Sequence, residues 1–174
     1  SDDELESKVL TGHKAFVESV AFTTDGQWLI SGGDDHTIRL WAIDDSSSMA
    51  SGSLTMNGLT LESTAFSPDI QQIAFGDVDG TIDLWEGNAG FRDLQIHDDW
   101  VSAVTFSSNG QWLASGSADR TVRLVNLDEP EARYFVLGQH EDWVKSVAFS
   151  SDGKWLVSSG YDNSTYLWNL DNFG

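Results

Sequence analysis

Short apolar segments recur along the chain, each followed by a turn signal and then by two further strand-like segments. The segments "VESVAF" from Val17, "LESTAF" from Leu61, "VSAVTF" from Val101 and "VKSVAF" from Val144 are almost wholly apolar or small. Runs of this kind read as strands covered on both faces, not as alternating half-solvated ones. Asp25-Gly26, Asn109-Gly110 and Asp152-Gly153 then supply tight hairpin turns. The next two strands follow the patterns Trp-Leu-x-Ser-Gly and Thr-(Val/Ile)-Arg-Leu-Trp. They span Leu29 to Ile43, Leu113 to Leu127, Leu156 to Leu170 and, in a more divergent copy, Ile73 to Gly87. A variable fourth strand is read at Leu54 to Met56, Phe91 to Leu94 and Tyr134 to Leu137.

These copies repeat with a period of about 42 residues, marked by His13, His97 and His140, with Asn57 in the histidine position of the second copy. Four strands per copy at this period predict an all-β chain, a β-propeller of four-stranded antiparallel blades. The repeats cover about 11–56, 57–94, 95–137 and 138–171 of a single domain spanning 1–174.

Composition changes this picture mainly by exclusion. With 28 acidic against 9 basic residues in 174, the net charge is −19. Such a surface repels nucleic-acid phosphates and anionic lipid heads, and favours cationic partners. The absence of cysteine removes disulfide and thiolate chemistry. No apolar run approaches the roughly 20 residues of a membrane span, and "SDDELESKVL" lacks the apolar core of a secretory signal. A cytoplasmic location is the expectation, with no nucleic acid or membrane partner.

Three copies combine the side chains of a hydrolytic triad: His13, Asp35, Ser31; His97, Asp119, Ser115; His140, Asp162, Ser158. A nucleophile needs an accessible oxyanion site, and the same set repeated in three copies is read as structural. "DVDG" at Asp77 to Gly80 looks like half a calcium loop but lacks the downstream glutamate. No phosphate loop, dinucleotide fingerprint or zinc spacing appears. No enzyme activity, metal or cofactor is expected.

Over roughly residues 5–171 the chain resembles the WD-repeat propellers. The matching residues are His13, Asp35 and Trp41; Asn57, Asp79 and Trp85; His97, Asp119 and Val125; His140, Asp162 and Trp168. The literal Trp-Asp pair is absent, Trp being followed by Ala42, Glu86 or Asn169. The resemblance implies a buried relay in which Asp accepts from His, His from Ser, and Ser from the Trp indole. In the second copy Asn57 and Phe75 interrupt it, and in the third Val125 removes the indole, so the second blade is expected to be the least cooperative.

The resemblance also implies a docking face at the end of the blades that carries the loops before the first strand. The positions read there are Phe16, Glu18 and Asp34; Thr60, Glu62 and Val78; Trp100, Ser102 and Ala118; Trp143, Lys145 and Tyr161. Aromatic anchors among acids suit a basic peptide, making the chain a non-enzymatic scaffold for a protein or peptide. A small-ligand or carbohydrate-binding propeller, and an engineered or fragmentary half-propeller without its own partner, are the alternatives. Whether these tryptophans are exposed or packed under loops is open at this stage, whereas Trp28, Trp112 and Trp155 are read as blade packing.

Leu5 to Leu10 matches the fourth-strand stretch "RYFVLGQH" at Arg133 to His140. It therefore reads as the outer strand of the blade whose other three strands come last. Four blades leave two apolar blade faces open, which predicts a two-fold homodimer of eight blades, each Leu5–Leu10 strand completing the partner's last blade. A piece of a longer propeller and a compact four-blade monomer are the alternatives.

Overall fold

A computed structural model describes residues 7–23, 25–44, 52–55, 61–69, 71–129, 133–171 and 173. The first blade comprises β1 (Val17–Phe22), β2 (Trp28–Gly33), β3 (Thr37–Ala42) and β4 (Gly52–Thr55). The second comprises β5 (Leu61–Phe66), β6 (Ile73–Asp77), β7 (Thr81–Trp85) and β8 (Phe91–Gln95). The third comprises β9 (Val101–Phe106), β10 (Trp112–Ser117), β11 (Thr121–Asn126) and β12 (Tyr134–Gln139). The fourth has β13 (Val144–Phe149), β14 (Trp155–Gly160) and β15 (Thr165–Asn169). Every sheet is an antiparallel meander in chain order, the fold class read from the sequence.

The core is not inside any blade but between blades. Ile30 and Ile38 of the first blade pack with Leu61, Ile73 and Phe75 of the second. Ile82 and Leu84 pack with Val101, Val104 and Phe106, and Val122 and Leu124 with Val144, Val147 and Leu156. Each such side chain removed from water contributes about 1.5–3 kcal/mol, so the inter-blade layers hold the arc together. Glycine permits the closest approach, since a Cβ on Gly116 would overlap the side chain of Val144.

A bulge in the first strand recurs in all four blades. The register runs from Val17↔Gly33 to Ser19↔Gly32, from Leu61↔Asp77 to Ser63↔Gly76, from Val101↔Ser117 to Ala103↔Gly116, and from Val144↔Gly160 to Ser146↔Ser159. The extra residues are thus Glu18, Glu62, Ser102 and Lys145. A bulge re-aims the side chain it carries, and here it does so at one register position in every blade.

Three expectations need correction. The Asp-Gly and Asn-Gly pairs do not form two-residue hairpins; the connections are five residues long, as at 107–111 and 150–154. In the latter, Gly153 N–H donates to Ser150 and the Asp152 carboxylate accepts from the Lys154 amide, so the pair shapes the middle of a longer loop. β1 and β13 are not covered on both faces, because Val17, Val20 and Phe22 of β1 and Lys145, Ser146 and Ala148 of β13 are exposed. The fourth strand of the first blade begins at Gly52, two residues before the expected Leu54, and Met56 lies outside the described residues.

Among the described residues Ser7 to Leu10 make no strand pairing, and β15 pairs with β14 alone. Leu5, Asn57 and Thr60 lie outside the described residues. No helix of the described residues is long and apolar enough to cross a membrane.

Candidate functional site

Each relay joins the loop before a blade's first strand to the turn between its second and third. In the fourth blade His140 Nδ1 lies 2.9 Å from Asp162, His140 Nε2 lies 2.9 Å from Ser158 Oγ, and the Trp168 indole donates to the same oxygen at 2.9 Å. In the first blade the corresponding distances are 3.0 Å from His13 to Asp35, 2.7 Å to Ser31 and 2.8 Å from Trp41. The donor inventory fixes the protons: the ionised aspartate can only accept, so Nδ1 carries the ring proton to it. Nε2 of the neutral ring accepts the serine O–H, while the serine oxygen accepts from the indole.

Ser31 and Ser158 are buried and their oxygens are occupied from both sides, although His13, Ser31 and Trp41 also border a cavity with Val17, Val20 and Leu29. Burial pushes the Asp35 carboxyl up, but bonds from the Thr37 hydroxyl, the Lys14 amide and the His13 ring hold it far below the usual carboxylate range. Asp119 is held low in the same way by His97 and Thr121, against burial. Burial lowers the His97 ring below the ordinary histidine value, with Asp119 opposing, so the ring is neutral at pH 7.

The third and second blades depart from this pattern. Ser115 bonds His97 at 2.7 Å, and fully buried Val125 fills the indole's place with apolar volume. Arg123 adds a cation there, bonding Asp119 at 3.1 Å, Thr121 and the Ile96 carbonyl. In the second blade Phe75 is fully buried at the serine position, and Asp79 bonds both the amide and the hydroxyl of Thr81. Gln72 links to Glu86, the residue after Trp85. Among the described residues no group of three or more His, Cys, Asp or Glu side chains could hold a metal ion.

The end face is built by the same loops. Asp34 N–H donates to the Phe16 carbonyl at 3.0 Å, Ala118 N–H to Trp100 at 2.8 Å and Tyr161 N–H to Trp143 at 2.9 Å. These bonds place the residue two before each bulge beside the residue before each relay aspartate. Phe16, Trp100, Trp143 and Tyr161 are all exposed. The Trp100 and Trp143 rings, from neighbouring blades, stand 5.8 Å apart at 50°, and Trp143 and Tyr161 stand 6.1 Å apart at 44°. Three aromatic rings thus form one continuous exposed surface.

The bulged Glu62 is half-buried, and burial, together with the charges of Glu18, Asp34 and Asp77, pushes its carboxyl up while Lys145 draws it down. Glu18, Glu62, Asp34 and Lys145 therefore share one electrostatic neighbourhood. Sequence reasoning overlooked the acids preceding the two tryptophans. Asp98, Asp99, Glu141 and Asp142 are exposed, and Asp99 and Asp142 accept from the Trp100 and Trp143 amides at 2.9 and 2.8 Å. The repeated order His-acid-acid-Trp at 97–100 and 140–143 was the available signal.

A family model described as "WD domain, G-beta repeat" matches residues 5–42, 91–126 and 132–169. The stretch 43–90 left unmatched holds β5, β6 and β7 of the divergent second blade. Nuclear distribution protein PAC1-2 of Uncinocarpus reesii is 31% identical over 145 residues, covering 70% of this chain and 31% of that protein. Transcriptional repressor tup12 of Schizosaccharomyces pombe is 46% identical over 41 residues, 24% of this chain and 7% of that protein. The Ribosome biogenesis protein BOP1 homolog of Monosiga brevicollis is 57% identical over 37 residues, 21% of this chain and 5% of that protein. The chain spans less than a third of the length of the nuclear distribution protein it matches.

Proposed function

The chain belongs to the WD-repeat family, whose members generally mediate protein–protein interaction, and from that premise we propose that it is a non-enzymatic scaffold that binds a basic protein segment. Its repeats at about 11–56, 57–94, 95–137 and 138–171 act as one domain over 1–174. The binding surface is the end that carries Trp100, Trp143 and Tyr161, with Phe16, Asp34, Glu18, Glu62 and Lys145 around it. The carrying observation is the run of three exposed aromatic rings rimmed by carboxylates. Large aromatic faces supply contact area at low entropic cost, and a cationic side chain over them gains roughly 0.5–2 kcal/mol. The carboxylate rim and the net charge of −19 steer a basic segment and repel an acidic one.

Calorimetric titration with matched Lys/Arg-rich and Asp/Glu-rich peptides, each containing a leucine and a tyrosine, tests this. Basic peptides should bind and weaken with added salt, while acidic peptides should not bind. Equal binding of both sets, or saturable binding of glycans in place of peptides, would overturn the reading.

A further inference from the structure

The sheet ends opposite the aromatic rings carry a cleft between the third and fourth blades. The antiparallel meander places the loops 107–111 and 150–154 at that end, together with the turn that follows β15. The cleft holds about 270 Å³. Trp112, Leu124, Leu170 and Phe173 give it an apolar wall, while Asn109, Gln111 and Asp152 line it with polar groups. It lies in a filled joint and not on an outer face, since Leu124 and Leu170 also belong to the packed layer between these two blades.

We propose that this cleft takes one arginine side chain of a protein partner, its guanidinium lying against Trp112 and pairing with the Asp152 carboxylate. The volume falls just under the roughly 300–1,000 Å³ of sites that enclose a whole small molecule, so it suits a single side chain. A planar guanidinium can stack on an indole and meet a carboxylate through paired N–H groups, which a lysine ammonium cannot do. The arginine stem would cover Leu124 and Leu170 with its methylene groups.

Charge selects a cation as the occupant. Asp152 is the one charged side chain among the described residues that line the cleft. The Ser150 hydroxyl donates to its Oδ1 at 2.6 Å and the Lys154 amide at 3.1 Å. These bonds hold the carboxyl below the ordinary aspartate value, so it is ionised at pH 7. Both fall on Oδ1, and Oδ2 is the oxygen that meets the guanidinium.

The aromatic wall is set before any ligand arrives. The Trp112 ring stands 6.2 Å from Phe135, which stands 5.8 Å from Phe173, so three packed rings fix its position. The preceding joint supplies the contrast. Between the second and third blades the same end has a cleft of about 300 Å³, in which Gln72 takes the place of Trp112 and Asn109 that of Asp152. That cleft keeps Asp69 and Asp128 but has no aromatic side chain among its described lining residues. The arginine site goes beyond binding at the aromatic end and does not rest on it.

Heteronuclear NMR titration with blocked arginine, N-acetyl-arginine methylamide, tests the site. The Trp112 indole signal and the Asn109 and Gln111 side-chain amide signals should move saturably. Blocked lysine should act several-fold more weakly, and blocked citrulline, of similar shape without the charge, should not act. Asp152→Asn should abolish the response with the fold kept, because Asn109 already makes the same two turn bonds in the third blade, at 2.7 and 3.1 Å. Ser108→Leu, at an exposed position lining the cleft, should abolish it by filling the space. No movement of these signals with arginine, an equal response to citrulline, or a response that survives either substitution overturns the proposal.

Discussion

Asp83 and Asp93 face each other directly across the β7–β8 ladder, two carboxylates in one register pair. Asp83 is only 6% exposed, and its Oδ2 has no hydrogen-bond partner among the described residues. It occupies the register position at which the first and third blades place Arg39 and Arg123. Burial first, then the Asp93 carboxyl and the charges of Asp77 and Asp79, push the Asp83 carboxyl up to about 7. Between about pH 4, where an unfolded aspartate ionises, and about pH 7, the folded chain holds a proton that the unfolded chain has lost. Stability therefore falls as pH rises through this window. Asp83→Asn should raise the melting temperature by a few degrees at pH 8 and leave it nearly unchanged at pH 4, in matched thermal scans.

The relay titrates in the opposite sense. Asp35 and Asp119 have folded-state values well below their unfolded ones, so their contribution is present above about pH 4 and is lost as pH falls through the folded values. Removing the hydroxyl should reveal how many partners it serves. Ser158→Ala strands both the His140 ring nitrogen and the Trp168 indole, whereas Ser115→Ala strands only the His97 nitrogen. With about 1–3 kcal/mol for each buried group left unpaired, Ser158→Ala should cost more than Ser115→Ala in urea denaturation.

Blade-to-blade approach gives a third expectation. Gly116→Ala places a methyl group on the stiff Val144 side chain and should cost about 1–3 kcal/mol. Gly52→Ala, whose Cβ would meet Leu40 at an ordinary 3.6 Å, should change stability by less than about 0.5 kcal/mol. Equal losses would mean that glycine is not what sets the inter-blade spacing.

Local opening should follow blade position and not relay completeness. The second blade lacks the relay serine, yet all five residues of β6 are buried between two neighbouring blades, with Phe75 filling the space. The fourth blade keeps its relay but exposes alternate residues of β15. Amide exchange should therefore protect β6 more than β15 in single chains. This reverses the order that the broken relay alone suggests.

Spacing made the repeat legible, because His13, His97 and His140 each precede their aspartate by the same interval of 22 residues that the hydrogen bonds span. The exposure of Trp100 and Trp143 was not legible, since it depends on which loops a neighbouring blade lays over them. Nor was the contrast between exposed Val17 and buried Val101, two like residues in like strands, of which Val101 packs on the second blade. The bulge at Glu18, Glu62, Ser102 and Lys145 is a register property, and the strand sequence carries no mark of it. Asp83 was legible, standing against Arg39 and Arg123 in the self-alignment, but its meaning needed the cross-strand position of Asp93.

Paired measurements on Trp143→Ala, affinity for a basic peptide and thermal stability, test the central claim most directly. If Trp143 belongs to an exposed binding surface, affinity should fall at least about tenfold while the melting temperature moves by less than about 2 °C. Unchanged affinity with a clearly lowered melting temperature would make Trp143 a packing residue and contradict the account.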